Sequence, residues 1–206
     1  MQKTDLAQKY QHKTAREHCL DAPDTYIGSV EEEEQETWCF TGSKMEHKTH
    51  KIVQGLFKIF DEAAVNARDH AIRLDTKIKK KSENIIPVSS IQFNIDKETG
   101  EITIYNDGNG IDVAEHPEYK LWIPEMIFGH LRTSTNYDEK KKEKIVGGKN
   151  GFGFKLVLIW STWGSIETVD HVRGLKYTQE FSDNLTKIEK PKITKSTKSS
   201  ISMFPI

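Results

Sequence analysis

An acidic and an amide side chain four positions apart are the first residues with the types and spacing for chemistry. Glu62 and Asn66 stand in the segment KIFDEAAVN at 58–66. In a helix, residues four apart project from one face, about a turn from each other. Glu62 would then orient or deprotonate an attacking water, and the Asn66 amide oxygen would ligate Mg²⁺, a hard cation that prefers oxygen. The alternative is an exposed helix face on which this spacing arose by chance.

A glycine-containing loop directly after a predicted strand is the second candidate. Its sequence is NDGNGI at 106–111. Asn106 offers a polar side chain that could accept a hydrogen bond from an adenine amino group. Gly108 and Gly110 permit positive φ and close approach of the backbone to a ligand. The alternative is a simple turn, because Asn, Asp and Gly favour turns without any ligand.

A second glycine-rich loop, GGKNGFGFK at 147–155, precedes an apolar segment predicted to be helical. Free backbone N–H groups and a helix N-terminus would suit a polyphosphate there, and Lys155 adds positive charge. The loop is not a Walker A sequence, because Phe154 stands where Lys is required, nor a dinucleotide fingerprint, because Leu156 stands where a third Gly is required. The segment TSTNY at 133–137 offers hydroxyls and an amide to sugar or phosphate oxygens, or equally to a helix cap.

The elements that would position these loops are predicted from hydrophobic periodicity. Apolar residues recur every three or four positions over 48–73, which predicts a long amphipathic helix carrying Glu62 and Asn66. Alternation of apolar and polar residues predicts one β-hairpin over 91–105 and another over 165–181, with its turn at 170–174. Short helices are predicted at 124–131 and 155–160, and an exposed loop at 74–90.

The order of these elements predicts an α+β fold. Helices and hairpins do not alternate as in a parallel sheet, so we expect a two-layer sandwich with helices on one face of a mostly antiparallel sheet. Residues 1–24 are polar and helix-compatible as far as Leu20, with a break at Pro23. We interpret them as an arm.

The composition limits the classes of partner. Lys and Arg number 30 and Asp and Glu 31, and a net charge of −1 does not favour tight duplex binding by this chain alone. No apolar run approaches a membrane span and the polar N-terminus lacks a signal-peptide core, so we expect no membrane contact. Cys19 and Cys39 are too few for a disulfide framework. The charge runs at 31–34, 77–81 and 140–144 are interpreted as solvated loops, with nucleic-acid contact by a lysine run as the alternative.

Taken in order, the Glu62–Asn66 pair and the two glycine loops resemble the three nucleotide-site motifs shared by gyrase, heat-shock chaperones, histidine kinases and MutL. Within that superfamily, further segments resemble eukaryotic type II DNA topoisomerases nearly from end to end. These segments are YQHKTAREH at 10–18, PDTYIGSV at 23–30, FKIFDE at 57–62, IPEMIFG at 123–129 and TSTNYD at 133–138. The resemblance implies the Bergerat-type (GHKL) ATPase fold with ATP and Mg²⁺ as ligands.

The resemblance also implies a role for each matching residue. Glu62 would activate the hydrolytic water, Asn66 would hold Mg²⁺, and Asn106 would contact adenine in a pocket shaped by Gly108 and Gly110. The nucleoside-contacting loop would comprise Ser134, Thr135 and Asn136. The phosphate-binding lid would comprise Gly148, Lys149, Asn150, Gly151, Phe152, Gly153, Phe154 and Lys155. Tyr10 matches a segment that crosses to the partner subunit in this family.

The function implied by the resemblance is that of an ATPase domain. ATP-dependent homodimerisation would close a gate around double-stranded DNA and drive strand passage through a transient double-strand break in the full-length enzyme. We expect a dimerisation arm at 1–27 and the ATP-binding domain at 28–206, with the transducer and cleavage domains outside this chain. The location would be the nucleus or, for a viral source, the virion or infected host cell. The alternative is an ATP-operated clamp of the same superfamily, such as a chaperone or MutL-type module, without DNA cleavage.

Several features depart from the family's usual pattern. Lys149 and Phe154 stand where the cellular enzymes usually carry Arg and a small residue, and Thr135 replaces Ser. The loss of an arginine fork is expected to weaken phosphate contacts. The loop at 74–90 is longer than in cellular relatives, which favours a divergent eukaryotic or large-virus source.

Overall fold

The structure is a computed structural model that describes residues 13–131 and 153–196, together with the backbone of residues 201–204. The chain divides into two compact units, Met1–Leu56 and Phe57–Ile206. The boundary between an arm at 1–27 and a domain at 28–206 stays a prediction. Among the described residues, no helix is both long enough and apolar enough to cross a membrane.

Two helices and a β-hairpin form the described part of the first unit. Helix α1 spans Ala15–Asp21 and begins at a capping box in which Thr14 and Glu17 bind each other's backbone N–H groups. Helix α2 spans Pro23–Tyr26 and carries its proline in the first turn. The helix break predicted at Pro23 is therefore confirmed. Strands β1, Glu32–Phe40, and β2, Met45–Val53, pair antiparallel.

The β1–β2 hairpin corrects two sequence predictions. Residues 32–34 of the glutamate run belong to β1 and not to a loop, and residues 48–53 belong to β2 and not to the long helix. Both strands leave most of their side chains in solvent, so the apolar and polar alternation of a half-buried strand is missing. Besides the backbone pairing, an exposed ion pair joins the two strands, between Lys51 Nζ and Glu32 Oε1 at 3.1 Å.

Helix α3 spans Gln54–Lys79 and so begins and ends later than the predicted 48–73. Its buried apolar side chains recur at helical spacing and are Ile59, Ala63, Ala67 and Leu74. Beyond Arg73 the helix buries Leu74 on the face of Ala67, and Thr76 Oγ1 donates to Ile72 O at 2.9 Å. The loop predicted at 74–90 is therefore wrong in its first part, and residues 80–90 form neither helix nor strand.

The described part of the second unit is built on an antiparallel sheet of seven strands. The strands are β3, Ile91–Ile95; β4, Ile102–Asn106; β5, Trp163–Asp170; β6, Leu175–Ser182; β7, Lys187–Ile188; β8, Lys192–Lys195; and β9, Ile201–Phe204. Their order is β3-β4-β9-β5-β6-β7, and β8 also pairs with β6. The two predicted hairpins, β3–β4 and β5–β6, are confirmed, and β9 lies between them.

Two short helices complete the described part of the second unit. Helix α4 spans Ile123–Gly129 and helix α5 spans Gly153–Ile159, which confirms the short helices predicted there. Every residue of α5 after Gly153 is buried. The strands bury Ile166, Tyr177 and Phe181 almost completely. Helices packed with an antiparallel sheet confirm the predicted α+β class.

Candidate active site

Helix α3 places Glu62, Asn66 and His70 four residues apart along one face. Burial of Ala63 and Ala67 fixes which side of this helix meets the core. The Glu62 side chain keeps 24% of its surface exposed, and its Oε1 lies 2.5 Å from Lys58 Nζ one turn earlier. Glu62 is therefore a carboxylate that water can reach, with one oxygen held by a cation.

The Asn66 amide is oriented by its own helix. Its Nδ2 donates to the backbone oxygen of Glu62 at 2.5 Å. One Nδ2 hydrogen is engaged in this way, and Oδ1 is the acceptor atom that Asn66 can offer to a cation.

Gly153, the first residue of α5, lies against Glu62 and Asn66. A Cβ atom at this position would collide with Glu62 Oε2 and would lie 3.3 Å from Asn66 Nδ2. Because Gly153 has no side chain, its backbone comes this close to the carboxylate without displacing it. The structure thus brings three predicted site residues together from two distant parts of the sequence.

The predicted lid is described only at residues 153–155, and the predicted nucleoside loop lies outside the described residues. Phe154 is buried with its ring edge-on to Phe128, the ring centres 5.0 Å apart, so this side chain contributes to core packing. Lid residues outside the described residues are Gly148, Lys149, Asn150, Gly151 and Phe152. Ser134, Thr135 and Asn136 of the nucleoside loop and Tyr10 of the arm also lie outside them.

Lys155 is buried in the first turns of α5. Only 2% of its surface is exposed. Burial lowers the pKa of its ammonium group to about 8, because low-dielectric surroundings disfavour the charged form. Strongly shifted pKa values cluster at functional sites, and Lys155 stands two residues after Gly153.

Asn106 ends β4 with its side chain buried and its acceptor unused. The residue is 1% exposed, and its Oδ1 accepts no hydrogen bond from any described residue. Leaving a buried acceptor unpaired costs about 1–3 kcal/mol, and such groups are rare in folded proteins. This oxygen therefore marks a position that the donor of a ligand would fill.

Gly108 and Gly110 are required by contacts within the chain. Gly108 has φ +103°, and a Cβ there would lie 2.9 Å from Val88 Cγ2. At Gly110 a Cβ would collide with the backbone carbonyl of Val169 in β5. Gly108 thus allows the loop backbone to approach residues 87–88, and Gly110 allows it to approach β5.

We call residues 106–111 the Asn106 loop. Its side chains accept hydrogen bonds from the backbone of residues 86–90. Asp107 Oδ1 accepts hydrogen bonds from Ser89 N at 2.7 Å and Ser90 N at 2.8 Å. Asn109 Oδ1 accepts one from Ile86 N at 2.5 Å. These hydrogen bonds fix the conformation of the loop on the side of residues 86–90, whereas a simple turn would need no such partners.

His70 connects α3 to the same loop. Its Nε2 lies 2.8 Å from Asn109 O, and because a carbonyl only accepts, Nε2 carries the hydrogen. Burial lowers the pKa of His70, so the ring is neutral at pH 7. Sequence reasoning missed this residue, although its place four residues after Asn66 was a usable signal. The bond links the helix of Glu62 to the loop of Asn106.

The chain is similar to proteins of a known family. A family model described as histidine kinase-, DNA gyrase B-, and HSP90-like ATPase matches residues 52–195. DNA topoisomerase 2 of Acanthamoeba polyphaga mimivirus is 49% identical over 201 residues, which cover 95% of this chain and 15% of the viral protein. The chain therefore spans only a small part of that relative's length.

Solved structures show the same fold. The ATPase region of Saccharomyces cerevisiae topoisomerase II superposes with a TM-score of 0.86 at 42% identity, covering 97% of this chain and 50% of that one. The 43K ATPase domain of Thermus thermophilus gyrase B gives a TM-score of 0.58 at 18% identity, covering 92% and 38%. The gyrase likeness concerns the fold alone. The predicted Bergerat-type fold is confirmed.

Proposed function

Because the chain belongs to the family of histidine kinase-, DNA gyrase B- and HSP90-like ATPases, we propose that it is the ATP-binding module of a type II DNA topoisomerase. The observation that carries the proposal is the buried Asn106 Oδ1, which lacks a hydrogen-bond donor throughout the described part of the chain. The adenine amino group is a donor of the kind this oxygen requires, whereas guanine carries an acceptor at the equivalent position. The topoisomerase relatives favour this function over that of a clamp without DNA cleavage.

Glu62 is the residue proposed to activate the hydrolytic water. Lys58 holds its Oε1 at 2.5 Å, so Oε2, on the side of Gly153, is the oxygen left to accept a proton. As the water oxygen attacks the γ-phosphorus, its proton would pass to Oε2 and ADP would leave. Gly153 itself places no side chain beside Oε2.

The residues of the site fit a magnesium ion brought in with ATP. Asn66 has its Nδ2 engaged and its Oδ1 available, and oxygen is the ligand that Mg²⁺ prefers. Within the described ranges no group of three His, Cys, Asp or Glu residues could hold a metal ion. One amide oxygen combined with phosphate oxygens and water is the arrangement that suits this site. When bound, the ion would neutralise charge on the triphosphate.

Lys155 is proposed to contact the phosphates with the rest of the lid, 148–155. Analogue affinity is expected to be constant below pH 8 and to fall by up to about tenfold per pH unit above it. Affinity falls above pH 8 because the Lys155 ammonium group, whose pKa without ligand is about 8, then loses its charge. A bound phosphate raises that pKa, so above pH 8 binding must take up a proton. Calorimetric titrations at pH 7, 8 and 9 in buffers of different ionisation enthalpy measure both the affinity and the number of protons taken up on binding.

The control for this experiment is Lys155→Arg, which stays charged across the whole range. Its affinity is expected to be independent of pH between 7 and 9. If the unaltered chain shows equal affinity at these pH values, Lys155 does not bind the phosphates.

The activity of the whole protein is likewise a proposal. ATP binding would close a homodimer through the arm at 1–27, with Tyr10 reaching the partner subunit, while residues 28–206 form the ATP-binding domain. The closed dimer would enclose double-stranded DNA, in the nucleus of a eukaryote or, for a virus, in the virion or infected cell. The reading frame beyond residue 206 is expected to encode an acidic metal-binding segment and an active-site tyrosine. A frame without them favours the clamp.

Mg²⁺-dependent binding of a non-hydrolysable ATP analogue tests the proposed function. Isothermal titration calorimetry is expected to show one site per chain, weaker binding after chelation of Mg²⁺, and still weaker binding of the matching GTP analogue. Circular dichroism on the same sample verifies that the chain is folded. A folded chain that binds neither analogue would remove the ATPase proposal.

A further inference from the structure

The turn between β5 and β6 contacts the segment that follows the Asn106 loop. Arg173 Nη1 lies 2.6 Å from Asp112 Oδ1 and 2.6 Å from Asp170 Oδ2, so one nitrogen bridges the segment and the strand end. Asp170 Oδ2 also accepts a hydrogen bond from Val113 N at 2.9 Å. We call Asp170 and Arg173 the Asp170–Arg173 clasp.

Asp170 is the buried half of the clasp. It is 4% exposed, and its Oδ1 accepts hydrogen bonds from Val172 N and Arg173 N, each at 3.0 Å. Burial alone would raise the pKa of Asp170, but the hydrogen bonds from Arg173 and Val113 hold it below its ordinary value. Asp170 is therefore ionised at neutral pH. A buried carboxylate of this kind loses much of its stabilisation when its cation is removed.

Strand β5 supports the loop at two further points beside the clasp. Thr168 Oγ1 accepts a hydrogen bond from Ile111 N at 2.8 Å, and Thr168 is itself 1% exposed. The backbone of Gly110 rests directly on Val169. Consecutive residues at the end of β5 thus hold consecutive residues of the loop, and the clasp closes this row of contacts at Asp112 and Val113.

We propose that Asp170 and Arg173 are positioning residues of the base site, which keep the loop of Asn106 in its nucleotide-binding conformation. Neither residue needs to touch the nucleotide. The hydrogen bonds to residues 86–90 and to His70 hold the first half of the loop, and Thr168 and Val169 hold its second half. The clasp holds Asp112 and Val113, which follow the loop directly. Without the clasp, Thr168 and Val169 alone support the second half of the loop, and the chain at Asp112 and Val113 is no longer fixed to the end of β5. This inference rests on the proposed function, since it concerns how the same pocket recognises adenine.

The same hairpin offers a matched control. Lys176 Nζ and Glu167 Oε2 form an ion pair across β5 and β6 at 2.6 Å, the same length as the pair in the clasp. Over the described ranges, no hydrogen bond or ion pair joins Glu167 to the Asn106 loop. Glu167→Gln therefore removes an ion pair from the hairpin and leaves the supports of the loop in place.

The experiment compares Arg173→Ala, Arg173→Lys and Glu167→Gln with the unaltered chain. Calorimetry gives the affinity for the ATP and GTP analogues, and thermal unfolding gives Tm for each variant. Arg173→Ala is expected to weaken ATP-analogue binding by about tenfold and to reduce the preference over the GTP analogue. The single-turnover rate at saturating ATP is expected to stay unchanged. Arg173→Lys, which retains a charge beside Asp170, is expected to recover part of the lost affinity.

The preference for adenine over guanine is the decisive readout, because a loss of stability alone lowers Tm without changing how a folded pocket ranks two bases. Equal affinity and preference in Arg173→Ala and the unaltered chain would overturn the inference. So would equal losses in Arg173→Ala and Glu167→Gln, because the effect would then belong to the hairpin as a whole. If the unaltered chain binds no ATP analogue, the proposed function itself fails, which is a different result.

Discussion

Replacing Glu62 by glutamine is expected to slow ATP hydrolysis by roughly two to four orders of magnitude while leaving analogue binding nearly unchanged. Glutamine retains the shape that packs beside Gly153 but cannot accept the proton of the attacking water. The ion pair of Glu62 with Lys58 is lost at the same time, and it is a partly exposed pair of small energy. Single-turnover phosphate release, with the chain in excess over ATP, detects even a slow rate.

The neighbouring residue supplies the control for this substitution. Asp61 is a carboxylate on the same helix with 47% of its side chain exposed, and its Oδ2 lies 4.0 Å from Lys58 Nζ. Asp61→Asn is expected to hydrolyse ATP at the rate of the unaltered chain. Equal rates for Glu62→Gln and the unaltered chain would exclude Glu62 as the base.

Replacing Asn106 by leucine is expected to change binding and stability in opposite directions. Leucine has nearly the shape of asparagine and removes the buried Oδ1 that finds no donor among the described residues. The free energy of unfolding without nucleotide is therefore expected to rise by about 1 kcal/mol. Analogue affinity is expected to fall by about 10- to 100-fold, because the hydrogen bond to adenine is lost. Chemical denaturation and calorimetry measure the two effects.

Asn94 in β3 provides the matched substitution. It is exposed, so Asn94→Leu is expected to change the free energy of unfolding by at most about 0.5 kcal/mol and to leave analogue affinity unaltered. A loss of stability in Asn106→Leu together with undiminished affinity would contradict the assignment of Asn106 to the base. It would instead make Asn106 an ordinary core residue.

The parts of the site that could be predicted from sequence depend on short-range regularities. The Glu62–Asn66 spacing identifies one helix face because an α-helix repeats every 3.6 residues. The hairpins β3–β4 and β5–β6 are visible because their sequences alternate apolar and polar residues, and in β4 and β6 this alternation follows the burial of the strand. These signals place Glu62 and Asn66 within α3 and Asn106 at the end of β4, and the structure then brings Gly153 to Glu62 and Asn66.

The remaining parts depend on contacts between distant residues. His70 and Asp170 act on the Asn106 loop through bonds that span 39 and 57 positions, and no local pattern marks such partners. The sequence suggested that the loop glycines make room for a ligand. That interpretation was incomplete, because Gly108 packs on Val88 and Gly110 packs on Val169. Strands β1 and β2 were missed because their exposed side chains give no alternation. β1 and β2 bury few side chains, so their sequences carry no repeating apolar face.

Strand β9 lies in the middle of the sheet although it is the last described strand along the chain. Met203 pairs with Ile104 of β4 on one side and with Ile166 of β5 on the other. A ribosome delivers the chain from its N-terminus, so β4 and β5 emerge with their facing edges unpaired. The two hairpins can join into one sheet only after residues 201–204 have left the exit tunnel. The domain therefore completes its fold only once residues 201–204 have emerged, and until then its bare strand edges need protection from aggregation.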